Sequence, residues 1–331
     1  MSDQSSKIIV VVGATGQQGG GVLFALLAQT SFQVIGLTRT PDSEAALALT
    51  KKHGSRLKMM AAEVFDADSL KRAFKGAYGV FAVTQWQLPI QIEKDNRYDL
   101  IGGFNLVDAA LACGIQHFVY SGMPNMTKFS GGRYTKVFHF DYKAQVEEYA
   151  LAKLGSMVPT FLHPSLFYAN LNWKQYCKRA ADGVVEFRAP LSPNKKACWV
   201  DPYFDVGAFA SAVFVLGPAQ TAGKTYPIQS PPCSQNDLAA TYTLITGEPA
   251  RAAPTSISAW GDTVSEMVGE GFRDDIEQMM LWMEEAQWAS KADCGTMDHV
   301  EYEERKKELG GLTGSTFEEY LKRTDWRKSY D

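Results

Sequence analysis

Several absences narrow the reading first. The five cysteines (Cys113, Cys177, Cys198, Cys233, Cys294) are scattered and form no CxxC pair. That pattern argues against a zinc ribbon or a disulfide scaffold and points to free thiols in a reducing compartment. The longest apolar stretch, Val206 to Leu216, is too short to span a bilayer and reads as a core helix. The first residues, Met-Ser-Asp-Gln-Ser-Ser, lack the basic-then-apolar layout of a secretory signal. A cytoplasmic or nuclear location is the expectation. Lys plus Arg number 33 against 37 Asp plus Glu, for a net charge of −4. No basic field is available to hold nucleic acid directly or to bind an anionic membrane. HExxH, ligand-spaced carboxylates and a GxSxG elbow are all missing, so neither a metal site nor a serine-hydrolase elbow is expected. The histidines at 53, 117, 163 and 299 are isolated in sequence, and His163, beside Pro164, reads as a satisfied core residue. Repeats, low-complexity tracts and long linkers are absent as well.

What is present begins with a glycine loop. The β-branched run Ile8 to Val12 meets Gly13-x-x-Gly16-x-x-Gly19 and then the helical stretch from Val22. Strand, glycine turn and helix in that order form a variant of the dinucleotide-binding fingerprint. Gly13 permits the tight turn, Gly16 leaves bare backbone for a pyrophosphate, and Gly19 lets helix and strand approach. The helix N-terminus then supplies free N–H groups and a positive dipole end to an anion.

The second strand, Gln33 to Thr38, ends in Thr38-Arg39-Thr40. A carboxylate at this place favours NAD by bonding the ribose hydroxyls and repelling a 2′-phosphate. Arg39 stands there instead, and a guanidinium can fork onto a phosphate. NADP(H) is therefore expected, with NAD(H) less favoured. A helix over Ser43–His53 leads to a strand over Leu57–Val64, whose end borders the adenine, so Val64 and Phe65 are candidates to flank the base. Asp66 looks like a helix N-cap. The strand Gly79–Thr84 brings Ala82, Val83 and Thr84 beside the cofactor, and Trp86 is a candidate roof.

A helix over Asp99–Gly114, the strand His117–Ser121, a helix over His139–Ala152 and the strand Thr160–Pro164 follow. Strands alternating with helices imply an α/β fold with a doubly wound parallel sheet. At 45% hydrophobic content, 331 residues can bury one large core and part of another. The expected division is a dinucleotide-binding Rossmann domain over 1–164, with additions from about 198–230. A smaller, mostly helical C-terminal domain over 165–331 interleaves with it. That second part is aromatic-rich (Phe167, Tyr168, Trp173, Trp199) and ends in a helix with a capping-box start at Ser315/Glu318.

Short-chain dehydrogenases place a Ser at the end of the fifth strand and a Tyr-x-x-x-Lys pair on the next helix. Ser121 and Lys143 occupy those places, but the residue four before Lys143 is His139. Lys143 and His139 share one helix face. Two roles stay open for His139: a general acid beside a Lys143 cofactor anchor, or part of the cleft wall. Tyr134 and Tyr142 lie near, and Tyr142 is expected to project off the cofactor-facing side.

Val12-Gly-Ala-Thr-Gly-Gln-Gln-Gly-Gly20, Gly76-Ala-Tyr-Gly-Val-Phe-Ala-Val-Thr84, Val119-Tyr-Ser-Gly122 and His139-Phe-Asp-Tyr-Lys-Ala-Gln-Val-Glu-Glu-Tyr149 resemble the NmrA-like family. This is an atypical branch of the short-chain dehydrogenase/reductase superfamily. The likeness covers almost the whole chain and is greatest to the redox-sensor members, which also carry His-Phe-Asp-x-Lys. It implies a nicotinamide dinucleotide held by Gly13, Thr15, Gly16, Gln17, Gln18, Gly19, Arg39, Thr84, Lys143 and the turn Pro164–Tyr168, including Phe167 and Tyr168. It also implies two kinds of function. Some members bind the cofactor and act as sensors or co-regulators through protein partners. Others are reductases, here of a small aromatic, carbonyl or imine substrate. The sensor is the primary expectation, because the catalytic tyrosine is missing; for the reductase, the catalytic candidates are Lys143, His139 and Ser121.

Overall fold

A computed structural model of the chain describes residues 7–84, 97–287 and 291–324. Seven parallel strands form the central sheet: β1 Ile8–Val11, β2 Gln33–Thr38, β3 Leu57–Ala61, β4 Gly79–Ala82, β5 His117–Ser121, β6 Val158–Pro164 and β7 Thr225–Ile228. Their spatial order is β7-β6-β5-β4-β1-β2-β3. The order reverses between β1 and β4, and that switch point opens a crevice at the carboxyl ends of the strands.

Both sheet faces are covered, as an all-parallel sheet requires. Alternation along β1 proves it: Ile9 and Val11 enter one hydrophobic cluster, while Val10 and Val12 enter the other. Helices α1 Gln17–Gln29, α2 Glu44–His53, α3 Ala67–Phe74, α4 Tyr98–Ala112, α5 Phe138–Leu151 and α6 Phe204–Leu216 flank it. The apolar stretch Val206–Leu216 is indeed a helix. Packed on α1, α6 approaches so closely that a Cβ on Gly21 would lie 1.7 Å from the Tyr203 carbonyl oxygen, and one on Gly207 2.4 Å from that of Gly21. Two glycines thus let two backbones touch.

A third hydrophobic cluster joins the rest of the chain, with Tyr168, Trp199, Trp260, Met280 and Phe317 among its members. Helices α7 Ile257–Val268, α8 Arg273–Glu285 and α9 Phe317–Arg323 supply much of it. A three-stranded sheet of Cys177–Arg179, Val185–Phe187 and Ala250–Ala252 adds to the helices. No helix among the described residues is long and apolar enough to cross a membrane.

Two local expectations are corrected. The third strand stops at Ala61 and does not reach Val64. Its partner β2 ends at Thr38, opposite Ala61, so nothing remains to pair with. The last helix begins one residue later than the capping box at Ser315/Glu318 predicts. Thr316 is the N-cap, and Glu319 completes the box. Ser315 is drawn away because buried Asp205 accepts from its amide at 2.9 Å and its hydroxyl at 2.5 Å. Trp86 lies outside the described residues.

Candidate functional site

A cleft of about 810 Å³ runs across the carboxyl ends of the strands. Its first wall is the glycine loop. Gly13 has φ +65°, a conformation that side chains with a Cβ resist. The loop is pinned to β2, since the Ala14 amide donates to the Leu37 carbonyl at 2.9 Å. A Cβ on Gly19 would lie 2.3 Å from the Gly13 carbonyl oxygen, so glycine is obligatory where α1 meets β1. Ser43 caps α2 and Asp66 caps α3 with their own side chains. By contrast Gly16 caps α1 with none, which leaves the first amides of α1 directed to the cleft for an anion. Thr15, Gly16, Gln17 and Gln18 line this end, with Arg39 and Thr38 opposite. Val64 and Phe65, the residues expected from sequence to flank an adenine, line the cleft as well.

Further along, Val83 and Thr84 line the cleft, whereas Ala82 is buried behind them. Ser121 lies at the end of β5 and donates to Gln18 Oε1 at 2.6 Å. Lys143 is 7% exposed, and its Nζ donates to Asp99 Oδ1 (3.0 Å), Thr84 Oγ1 (2.8 Å) and the Thr84 carbonyl (3.2 Å). An ammonium has three donors, and all three are taken. His139 is anchored by buried Asp275, which accepts from the backbone amide at 2.9 Å and from ring Nδ1. All three catalytic candidates therefore line one cleft, each held by a partner from another element.

Pro164 and Phe167 line the cleft, but Tyr168 does not. Its side chain is turned to the core instead. Successive residues of the extended Leu166–Phe167 segment face opposite ways, and a 3₁₀ turn starts at Tyr168. Tyr168 is 1% exposed and stacks on Trp199, Tyr320 and Phe317. Trp199, another aromatic of the second part, belongs to the same core. Tyr134 is also buried in that core, while Tyr142 stacks on Phe138 and is not among the lining side chains.

The cleft also has an apolar part, to which the aromatic-rich second half contributes Trp173 and to which α7 and α8 add side chains that the sequence reading did not single out. Trp173 and Tyr176 line it together with Met267, Met279, Trp282 and Met283 from α7 and α8. Met279 and Met283 are four apart, a helical spacing that marks a shared face. Also missed was a buried charge relay under the cleft. His163 donates through Nε2 to Glu147 Oε1 at 2.7 Å and through Nδ1 to Asp293 Oδ2 at 2.8 Å. Burial alone lowers the basicity of His163, but the two carboxylates outweigh it and hold its pKa up at about 10. The core reading of His163 stands, with an ionic content the sequence did not disclose. Among the described residues no group of His, Cys, Asp or Glu is arranged to hold a metal.

The sequence profile of the NmrA-like family matches residues 5–321. An NmrA-like family domain-containing oxidoreductase of Aspergillus hancockii is 29% identical over 266 residues, which cover 77% of each chain. An NmrA-like family domain-containing protein of Dictyostelium discoideum is 34% identical over 230 residues, covering 68% of this chain and 72% of the other. The crystal structure of NmrA, a negative transcriptional regulator in complex with NAD, superposes with a TM-score of 0.78 at 22% identity, covering 98% of this chain and 97% of that one. NmrA has also been solved in complex with NADP, at 21% identity and a TM-score of 0.75. A Rossmann-like sheet shared end to end and a profile match across nearly the whole length agree, and this chain is a member of the NmrA-like family.

Proposed function

We propose that this protein binds NADP(H) in the cleft and reduces a small, neutral aromatic substrate in the adjoining chamber. The residues fit the cofactor. Gly13, Gly16 and Gly19 with the uncapped start of α1 suit a pyrophosphate. Arg39 beside Thr38 and Thr40 suits a 2′-phosphate. Val64, Phe65, Thr84, Pro164 and Phe167 supply the remaining walls. The bound nicotinamide supplies a hydride. Residues 1–164 with the returning segment from about 198–230 form the cofactor half, and 165–331 the substrate half.

The observation that carries the reading is the chamber itself. A hydride acceptor needs a largely apolar volume next to the cofactor, whereas a protein that only reports cofactor binding needs none. In this scheme Ser121 and Gln18 shape the passage and Lys143 holds Thr84 in place. His139, fixed by Asp275, presents an imidazole able to move a proton to the reduced substrate. The oxidoreductase name carried by the Aspergillus hancockii relative supports the same reading. Consumption of NADPH by the purified protein with menadione or other neutral aromatic quinones, aldehydes and imines tests it. No turnover with any of them, together with tight NADPH binding, overturns it.

One observation favours the regulator. The Tyr of the Tyr-x-x-x-Lys pair is His139, and Lys143 has no donor left for a ribose. In that reading the cleft holds NADP(H) as a signal read by a protein partner in the cytoplasm or nucleus.

A further inference from the structure

We infer that the apolar chamber takes a flat, neutral aromatic molecule carrying one hydroxyl or ring N–H, and that Gln175 is the residue that reads this group. The inference rests on the reductase reading above and names its substrate class.

The chamber's chemistry sets the class. Its walls are indole, phenol, thioether and aliphatic side chains: Trp173, Tyr176, Met267, Met279, Trp282 and Met283. Flat rings suit such walls, and methionine adapts to irregular outlines. The cleft's charged side chains lie elsewhere: Arg39 and Glu63 line the far end, and Lys143 spends its donors on Asp99 and Thr84. A substrate carboxylate or phosphate would therefore be desolvated without a counterion, which is strongly unfavourable.

Gln175 is one of the polar residues of the lining, along with Ser165, Asn170 and His139. Gln175 lies between Trp173 and Tyr176, lines the cleft and is 3% exposed. Its Oε1 is buried and has no hydrogen-bond partner. A buried amide oxygen without a donor is a standing cost that a ligand donor removes. Gln229 and Gln235 also carry unpartnered amide atoms, but neither lines this cleft. Rotation of the amide exchanges oxygen for nitrogen, so a ligand hydroxyl, which both donates and accepts, satisfies either orientation. The group thus selects one hydrogen-bonding function on an otherwise apolar ring system.

The test is calorimetric and needs no turnover. The full-length chain, saturated with NADP⁺, is titrated with naphthalene, naphthol and naphthoate. Naphthol is expected to bind roughly tenfold more tightly than naphthalene, the worth of one well-made hydrogen bond. Naphthoate is expected to show no binding. In Gln175→Leu the preference for naphthol over naphthalene should vanish while naphthalene binding persists. Gln175→Met serves the same purpose if the leucine variant does not fold. Equal affinity for naphthol and naphthalene in the native protein, a preference that survives both substitutions, or naphthoate binding as tight as naphthol overturns the inference. NADPH is titrated in parallel: failure to bind it sinks the cofactor reading, whereas normal NADPH binding without discrimination among the naphthalenes sinks this inference alone.

Discussion

Lys143 Nζ lies 3.0 Å from Asp99 Oδ1, and the two side chains are 9% and 2% exposed. The pair ties α5 to α4 beneath the cleft floor. A buried ion pair is seldom the most stable solution for a core, but losing one partner leaves an uncompensated charge. The pair is therefore a strong dependency, and it holds Thr84 at the edge of the cleft.

Removing Asp99 alone should be costly. Asp99→Leu is expected to lose about 3–5 kcal/mol of unfolding free energy in a urea titration. The double variant Asp99→Leu/Lys143→Met should recover most of that loss and yet bind NADPH more weakly. A double variant as unstable as the single one would mean that the stranded ammonium is not the cause.

Arg39 should separate the two cofactors. Arg39→Ala is expected to weaken NADPH binding by about 1.5–3 kcal/mol, the worth of hydrogen bonds to a charged group, and to leave NADH binding nearly unchanged. Fluorescence titrations with both cofactors measure this. Equal weakening of the two would remove Arg39 from the phosphate site.

Neighbouring glycines of α1 should differ sharply. Gly21→Ala drives a methyl into the Tyr203 backbone, and overpacking of this kind costs about 1–3 kcal/mol or more. Gly20→Ala meets only the Tyr203 ring edge, at 3.3 Å, and that ring can give way. Gly20→Ala should be close to neutral and gains helix propensity. Thermal midpoints for the two variants decide the matter; similar losses would contradict the close contact of α1 with α6.

Two buried histidines should give stability opposite pH slopes. Burial lowers the pKa of His117 from 6.5 to about 3, so its contribution is complete above 6.5 and is lost as pH falls toward 3. His163 is held at about 10, so its contribution is complete below 6.5 and is lost as pH rises toward 10. Each limb can reach about 1.4 kcal/mol per pH unit. Unfolding free energy should therefore peak near pH 6.5. His163→Asn should flatten the alkaline limb and His117→Asn the acid limb. Unaltered limbs in both variants would assign the slopes to other groups.

The sheet was legible because local chemistry encodes it. β-Branched runs, the glycine loop and the cap at Asp66 act within a few residues, and the structure puts β1, β2 and β5 where they indicate. Ser121, His139 and Lys143 line one cleft because strand end and helix face are set by local periodicity. Shifts of a single residue were not legible: Ser315 leaves the cap to bond Asp205, 110 positions earlier in sequence. Nor was the side to which Tyr168 turns, since a core of Trp199, Phe317 and Tyr320 assembles from distant segments.

By itself the sequence determined the strand–loop–helix that opens the chain, the parallel α/β sheet, the arginine after β2 and the missing tyrosine. These depend on backbone propensity, spacing and residue identity. Only the tertiary structure decided that Lys143 is spent on Asp99 and Thr84, that His139 is anchored by Asp275, and that residues of α7 and α8 line the same cleft as Gln175. Those relationships arise where segments more than forty or a hundred residues apart are desolvated against one another. Burial, not spacing, sets their partners, and burial exists only once the chain has folded.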